Sequence, residues 1–401
     1  MVAAVDPYLI DWLDLAFRFL HVIAAIVWIG TSFYFVALDN HLRPPADERD
    51  RERGVGGESW EIHGGGFYSV QKYRVAPEKL PEPLHWFKWE AYTTWLSGFA
   101  LLVVLYYLDA DTYLVDRSVA DLRTGWAVAI SVAMLALAWA VYDGLCRVLA
   151  QRQLLLGLAI FVFVAVAAYG VGNLFSARAT PIQLGAMLGT MMAGNVLLVI
   201  IPGQRELVRA KQAGREPDPE HGVRGKQRSV HNNYLTLPVV LAMIAPHFPF
   251  VYAHKRAWLV LLTLMVVGAV VRHFFNLRHQ GRTVWAIPVT AAVALVALAV
   301  VIRPEDSPPD AGGAPVPFVQ VATVVKQRCA TCHSAQPTNK SFSTAPAGVV
   351  LDTPAQIKAQ SAAIEEQAVE TKAMPLGNVT GMSEEERALL GRWIDQGAAI
   401  P

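Results

Sequence analysis

Eight apolar runs, each about 20 residues long, constrain the fold of this chain more than any other feature. A helix of about 20 apolar residues can cross a hydrocarbon core of about 30 Å. The composition agrees, because 54% of the 401 residues are hydrophobic and 17% are charged. The sequence therefore predicts an all-α fold whose main part is an eight-helix transmembrane bundle. The predicted spans are 9–38, 86–108, 125–146, 154–174, 181–201, 230–252, 258–277 and 284–302.

Lysine and arginine are concentrated in the loops after the first and the fifth predicted span. Cytoplasmic loops of membrane proteins carry an excess of these residues. We therefore expect a multi-pass protein of a bacterial inner membrane, with both termini in the periplasm. The N-terminus lacks the basic start and the cleavage site of a removable signal peptide, so its apolar run is interpreted as the first span. The net charge of +1 favours no nucleic-acid partner.

A segment rich in Pro, Gly and Asp separates the apolar runs from a more polar C-terminal part. It divides the chain into a membrane domain (1–303), a linker (304–317) and a small α-helical domain (318–401). The small domain contains CATCH, in which Cys329, Cys332 and His333 have the spacing of a covalent haem c site. A zinc half-site would need a second Cys/His pair, and 318–401 has none.

Two methionines could supply the second axial ligand of the haem iron. Met374 precedes a proline in an extended segment, where the thioether can be held towards the iron opposite His333. Met382 precedes Ser383 and Glu386, a capping-box pattern, so we expect it to pack at the start of the last helix. The sequence favours Met374. As in class I cytochrome c, which the domain resembles, apolar residues of the last helix should pack on the helix before the haem: Leu389, Leu390, Trp393 and Ile394 on Val321, Val324 and Val325.

A haem with two protein ligands carries one electron at a time, so the membrane domain should hold the electron-donor site. One candidate is 56–99, where three glycines follow His63 and precede Lys72. These glycines could let the backbone approach a flat ligand, or the segment could lie on the membrane surface with aromatic anchors. A second candidate is KQRSVHNNYLTLP, which places His231, Asn232 and Asn233 at the expected cytoplasmic mouth of the sixth span. These residues could bind a polar heterocycle or cap the helix.

Ionisable residues inside the predicted spans are costly to bury and often functional. They are Arg18, His21, His247, Arg272 and His273. A cytoplasmic donor site would lie about 30 Å from a periplasmic haem, too far for one fast electron hop. One prediction is therefore a relay haem b held by His21 and His247, with Arg18 paired to a propionate. The alternative is a substrate pocket that opens to the periplasm and needs no relay.

Five motifs resemble the membrane-bound bacterial urate oxidases (urate hydroxylases) that are fused to a cytochrome c. They are IHGGGFY, LHWFKWEAYTTWLSGF, RSVHNNYLTLP, RHFFNLRH, and the terminal CATCH with MPLGN, in the order and at the spacing of that family. The resemblance covers essentially the whole chain. It implies oxidation of urate to 5-hydroxyisourate in purine breakdown, with water as the oxygen source. Electrons would pass to haem c and then to a periplasmic acceptor or a terminal oxidase, so that no hydrogen peroxide forms.

Urate is a planar anion at neutral pH, so its site needs a cation, aromatic faces and paired amides. Lys72, Arg74 or Arg272 could neutralise the anion, and Asn232 and Asn233 could bond its ring edges. Proton transfer or orientation of the water could fall to a histidine: His63, His231 or His273. Two other classes stay open. A quinol-to-cytochrome c electron-transfer protein would have a pocket open to the bilayer, and a transporter or sensor would need an internal repeat.

Overall fold

The computed structural model describes residues 6–303 and 314–401, and these are mostly helical. The predicted linker, 304–317, lies largely outside the described residues. The first half of the membrane domain contains α1 (Pro7–His41), α2 (Glu48–Glu52), β1 (Val55–His63), β2 (Gly66–Tyr73), α3 (Trp89–Leu102), α4 (Ala110–Tyr113) and α5 (Thr124–Val148). The second half contains α6 (Gln153–Gly172), α7 (Ala179–Asn195), α8 (Ile201–Gln212), α9 (Pro219–Ile244), α10 (Pro249–Tyr252), α11 (Ala257–His279) and α12 (Ala286–Val301).

Each predicted span coincides with a helix, but the helices differ in length and apolarity. Among the described residues, five helices are long and apolar enough to cross a membrane: α1, α5, α6, the continuous helix Ala179–Gln212 and α11. The last helix of the domain, α12, is apolar but shorter. One π-helical segment, Val196–Ile200, joins α7 to α8 without a break. The fold is thus compatible with a membrane protein, and the count of eight spans stays a prediction.

The sixth predicted span has its start in the wrong place. Helix α9 begins at Pro219, where the Asp218 side chain accepts a hydrogen bond from the Glu220 backbone N–H. An acceptor at the N-cap followed by proline is a strong helix start. RSVHNNYLTLP therefore lies inside a long helix and not at its mouth. Since successive helical residues point about 100° apart, neighbouring residues of this motif face different helices.

The all-α prediction is wrong for the segment 55–73, which is an antiparallel hairpin of β1 and β2. Gly64 and Gly65 form its turn, with φ of 58° and 84°. Two residues with positive φ are what the tightest hairpin turn requires, and glycine adopts that conformation without steric cost. The glycines that we expected to approach a ligand therefore have a structural role in this turn.

The main apolar core of the membrane domain lies among α5, α6, α7 and α11. Helix α1 lies at the edge of this core, because only 6% of its most apolar stretch is buried. It packs chiefly on α3 and also touches α9 and α11. Polar residues of α9 are enclosed between α7 and α11, which is where the candidate site is found.

The small domain has its own core. It contains α13 (Phe318–Arg328), α14 (Pro354–Ala359), α15 (Ser361–Ile364) and α16 (Glu384–Asp395). The capping box of Ser383 and Glu386 is confirmed, and Met382 is buried beside it, as predicted. The predicted packing of α16 on α13 is also confirmed. The core of the small domain contains Val321, Val324, Val325, Met382, Leu390 and Trp393, and Leu389 and Ile394 pack against this core.

The small domain rests on the membrane domain around α4. The rings of Tyr113 and Phe342 lie 6.4 Å apart in an edge-on contact. A Cβ atom on Gly377 would lie 2.6 Å from the carbonyl oxygen of Val115, so the two backbones are in close contact. The turn Leu376–Asn378, which follows Met374 closely, therefore forms part of this interface.

Candidate functional site

The residues of RSVHNNYLTLP divide between two buried polar clusters on opposite sides of α9. The first, which we call the inner cluster, joins α5, α7 and α9. It comprises Tyr142, Asp143, Asn195, Arg228, His231 and Asn232. The second, the Arg272 cluster, joins α1, α9 and α11. It comprises Phe33, Asn233, Arg272 and Asn276.

The inner cluster has a complete hydrogen-bond network around Asn195. Its side-chain amide donates to the Tyr142 hydroxyl oxygen at 2.9 Å and to Asn232 Oδ1 at 2.9 Å. Asn232 in turn donates to the Met192 carbonyl at 3.0 Å. The Tyr142 hydroxyl lies 2.8 Å from His231 Nδ1. The tautomer of His231 decides the direction of this bond: the hydroxyl donates to Nδ1 when the ring proton is on Nε2, and Nδ1 donates to the hydroxyl oxygen when the proton is on Nδ1.

The positive charge in the inner cluster is balanced. Arg228 is only 4% exposed and donates to Asp143 Oδ1 at 2.7 Å and to Asn195 Oδ1 at 3.2 Å. The second carboxylate oxygen of Asp143 pairs with Arg147 at 2.7 Å. Because a buried charge is costly unless it is paired, this arrangement satisfies both partners within the protein. Arg147 is largely exposed to solvent, so among the buried groups of the inner cluster one cation faces one carboxylate, and no buried charge is left over for an anion.

The Arg272 cluster differs in this respect. Arg272 is also 4% exposed, and its Nε donates to Asn233 Oδ1 at 2.6 Å. Its guanidinium lies 3.7 Å from the centre of the Phe33 ring, a stacking contact. Asn233 donates in turn to Asn276 Oδ1 at 3.2 Å. The terminal Nη2 of Arg272 is buried and has no hydrogen-bond partner among the described residues. A buried, unpartnered guanidinium N–H is suited to an anionic acceptor.

Three predicted site residues lie outside both clusters. His63 is exposed next to the turn of the hairpin. Lys72, on β2, pairs with Asp39 near the C-terminal end of α1 at 2.5 Å, and Lys226 approaches the same carboxylate at 3.5 Å. His273 lies on an exposed face of α11, where its Nδ1 is 2.7 Å from the Tyr234 hydroxyl. The structure does not bring these three together with Arg272 or Asn232.

Several cluster residues were not singled out from the sequence. Tyr142, Asp143 and Asn195 lie within apolar runs that we interpreted only as spans, and Asn276 lies within the motif RHFFNLRH without having been assigned a role. Asp143 carried a usable signal, because an acidic residue inside a predicted span is functional or paired by default. Phe33 carried none, since an aromatic residue in an apolar helix is common.

The predicted relay residues have the following positions. His21 Nδ1 lies 2.9 Å from the Thr94 carbonyl and 3.2 Å from the Ser97 hydroxyl, both on α3. The ring packs on Gly98, where a Cβ atom would approach its Cε1 to 2.8 Å. Arg18 forms an ion pair with Asp14 on the exposed side of α1. His247 is exposed in the short helix after α9.

The residues of CATCH follow directly on α13. His333 Nδ1 lies 3.1 Å from the Val349 carbonyl. Burial raises the pKa of the Cys329 thiol to about 12, so this thiol is neutral at pH 7. The backbone at Met374 is held on both sides: its N–H donates to the Gln367 carbonyl at 2.8 Å, and its carbonyl accepts from Arg387 at 2.7 Å.

The comparisons with known proteins address the membrane domain. No curated protein and no solved structure matches the chain. The profile of one family, described as urate oxidase N-terminal, matches residues 7–303. This range contains both polar clusters and all the apolar helices, and it is well over half of the chain. The chain therefore belongs to the urate oxidase N-terminal family, which indicates an oxidoreductase whose chemistry concerns urate.

Proposed function

We propose that the membrane domain oxidises urate to 5-hydroxyisourate at the Arg272 cluster and passes the electrons to a haem c on the small domain. Membership of the urate oxidase N-terminal family supports the substrate. The observation that carries the choice of site is the unpartnered Nη2 of Arg272. Arg228 is equally buried, but Asp143 already neutralises it.

The Arg272 cluster has the groups that a flat anion requires. The guanidinium supplies the positive charge and one free donor, and the Phe33 ring holds the guanidinium plane by stacking. The amides of Asn233 and Asn276 supply both donors and acceptors next to it. Low local dielectric strengthens each of these interactions relative to water. We infer that Arg272 orients urate and that Asn233 bonds its ring edge.

The overall reaction is urate plus water to 5-hydroxyisourate, two protons and two electrons. A new bond forms between C5 of urate and the water oxygen, and the electron pair leaves in two successive single-electron transfers. A proton acceptor is needed near C5. His231, which the sequence suggested for this role, pairs with Tyr142 on the opposite side of α9 from Asn233, so it does not face a urate bound at Arg272 and the proton would pass to water.

The small domain has the residues that a haem c requires. Cys329 and Cys332 are free cysteines, available for thioether bonds. The contact of His333 Nδ1 with the Val349 carbonyl orients the ring and leaves Nε2 for iron, as is usual for ligating histidines. We assign Met374 as the second ligand, because its backbone is held while Met382 is buried in the core. When bound, the haem would accept electrons one at a time.

We further propose that the protein lies in the bacterial inner membrane with the small domain in the periplasm. The five long apolar helices support insertion, and the basic loops support the orientation. The relay haem b stays a prediction. The hydrogen bond from His21 to α3 is of the kind that orients a ligating ring, which supports His21 more than the exposed His247.

An anaerobic optical spectrum of the purified protein, recorded before and after urate is added, tests this function. Reduction of the c-type α band without oxygen is the expected result, and an extra b-type band would establish the relay haem. If urate leaves the haem oxidised and a quinol analogue reduces it, the protein is a quinol-to-cytochrome c electron-transfer protein instead. A protein that lacks any c-type band would contradict the assignment of CATCH.

A further inference from the structure

We propose that the tip of the β1–β2 hairpin is immersed in the cytoplasmic leaflet of the lipid bilayer, beside α1. The inference rests on the membrane insertion proposed above and is independent of the chemistry at Arg272. Its occupant is lipid, and neither urate nor a second protein chain is needed to explain the exposed surface.

Towards the turn, one face of the hairpin carries large apolar side chains that are uncovered. Trp60, Ile62 and Phe67 are 70%, 71% and 77% exposed. Alternate residues of a strand point to the same side, which places Trp60 and Ile62 together. The register pairs Ile62 with Phe67, so the third side chain lies on that side too. Three large apolar side chains on one small face are costly in water, at about 25 cal/mol per Å² of apolar surface.

The hairpin runs back along α1 towards the membrane interior. Near its base, Lys72 pairs with Asp39, close to the end of α1. Nearer its tip, Glu61 accepts a hydrogen bond from the Tyr34 hydroxyl at 2.8 Å. Tyr34 precedes Asp39 by five residues in the same helix. At 1.5 Å per residue, the second contact therefore lies about 7.5 Å from the first along the axis of α1, towards its middle.

The charged and aromatic residues of the hairpin are distributed along the same axis, with cations at its base and aromatic residues at its tip. Its base carries cations that suit the phosphate level of the bilayer: Arg51, Arg53, Lys72 and Arg74. Its tip carries the aromatic residues that favour the interface. The outer strand edges have backbone groups that need water or polar headgroups, so the tip should lie within the interfacial zone and not at the bilayer centre.

Lipid is favoured over a second protein chain by the position of α1. This helix lies at the edge of the bundle with its most apolar stretch 6% buried, so the space beside it is continuous with the lipid-facing surface. A hairpin that runs along α1 from its C-terminal end towards its middle enters the same lipid environment.

The test places a nitroxide spin label on single cysteines of the full-length protein in nanodiscs. The positions are Ile62→Cys and Phe67→Cys on the apolar face, both of which are exposed enough to accept a label without repacking. Val162→Cys on the exposed side of α6 is the lipid control, and Glu216→Cys in the loop before α9 is the water control. Labelling of the unsubstituted chain measures background from Cys146, Cys329 and Cys332.

Accessibility to oxygen, which partitions into lipid, is compared with accessibility to a water-soluble nickel chelate. We expect the labels at 62 and 67 to behave like the label at 162. Their ratio of oxygen accessibility to nickel-chelate accessibility should be at least fivefold higher than the ratio measured at 216. Labels at 62 and 67 that follow 216 would overturn the proposal. Loss of access to both reagents with spin–spin broadening would also overturn it, in favour of a second copy. If 162 itself follows 216, membrane insertion has failed, whereas the urate spectrum would be unaffected.

Discussion

Two buried arginines of the membrane domain differ in their partners. Arg228 forms a 2.7 Å ion pair with Asp143, whereas Arg272 stacks on Phe33 and has an unpartnered Nη2. A buried ion pair is satisfied within the fold, so its removal mainly destabilises the protein. Arg272 has a neutral acceptor at Nε and a stacking ring, but its Nη2 has no acceptor among the described residues and is left for a ligand. The two residues should therefore give different phenotypes when substituted.

We predict that Arg272→Gln lowers kcat/KM for urate about 10- to 100-fold. A hydrogen bond to a charged group contributes about 1.5–3 kcal/mol, and each 1.4 kcal/mol is a factor of ten. The measurement is anaerobic haem reduction over a range of urate concentrations. Arg278→Gln, at the exposed end of the same helix, is the matched control and should leave the rate unchanged. Equal rates in wild type and Arg272→Gln would move the site to the inner cluster.

Arg387 is a buried arginine of the small domain that holds the backbone in place. It is buried, and its Nη1 donates to the carbonyl oxygens of Ala368 and Met374. Burial lowers the pKa of this guanidinium, which nevertheless stays charged at neutral pH. The residue thus fixes the backbone that carries the proposed methionine ligand.

We predict that Arg387→Met destabilises the small domain by about 3 kcal/mol and weakens the proposed ligation of haem iron by Met374. The reason is the loss of two hydrogen bonds from a charged donor. Thermal unfolding reports the stability, and the near-infrared methionine-to-iron band reports the ligand. Lys358→Met, at an exposed site on α14, should change neither. A normal methionine band in Arg387→Met would argue against Met374 as the ligand.

At the scale of elements, the sequence predicted what local periodicity determines. Apolar runs became helices because a helix satisfies its own backbone inside an apolar environment. The start of α9 does not follow from apolar length, because α9 begins with polar residues, although Asp218 and Pro219 signal it. The hairpin also carried a signal. Gly64 and Gly65 stand between strands in which Trp60 and Ile62 alternate with polar residues.

Close approach between α5 and α7 gives an element-scale prediction. A Cβ atom on Gly194 would overlap the ring of Trp139, whereas one on Gly189 of the same helix would meet nothing within 4 Å. We predict that Gly194→Ala destabilises the membrane domain by about 1–3 kcal/mol through overpacking. Gly189→Ala should be neutral or slightly stabilising. Thermal unfolding in detergent measures both, and equal melting temperatures would contradict this account of α5–α7 packing.

At the scale of the whole molecule, sequence reasoning reached the division between apolar and polar parts but not the assembly of the site. Asn232 and Asn233 are adjacent in sequence, yet one faces Asn195 and the other faces Arg272. That separation depends on which helices flank α9, and long-range packing is not encoded in a local pattern. The exposed position of His63 could not be predicted from the sequence for the same reason.

The contact between the two domains gives a prediction at this scale. Gly377 and Gly381 both have positive φ, 54° and 66°, so alanine strains the backbone at either position by about 1 kcal/mol. Only at Gly377 would the new Cβ atom meet the membrane domain, 2.6 Å from the Val115 carbonyl. We predict that Gly377→Ala slows urate-driven haem reduction at least tenfold, while Gly381→Ala does not. Reduction by dithionite should be equal in both. Identical urate-driven rates would show that this contact does not carry the transfer.

Under the proposed function, the contact of the turn Leu376–Asn378 with the membrane domain would also affect which electron carriers can compete for electrons from the urate site. An acceptor on the same chain is present at an effective concentration that no dilution changes, so the first transfer is unimolecular. Soluble carriers would have to displace the turn from Val115 before they could intercept an electron at that surface. Under this proposal, soluble carriers would receive electrons only from the small domain and not directly from the urate site.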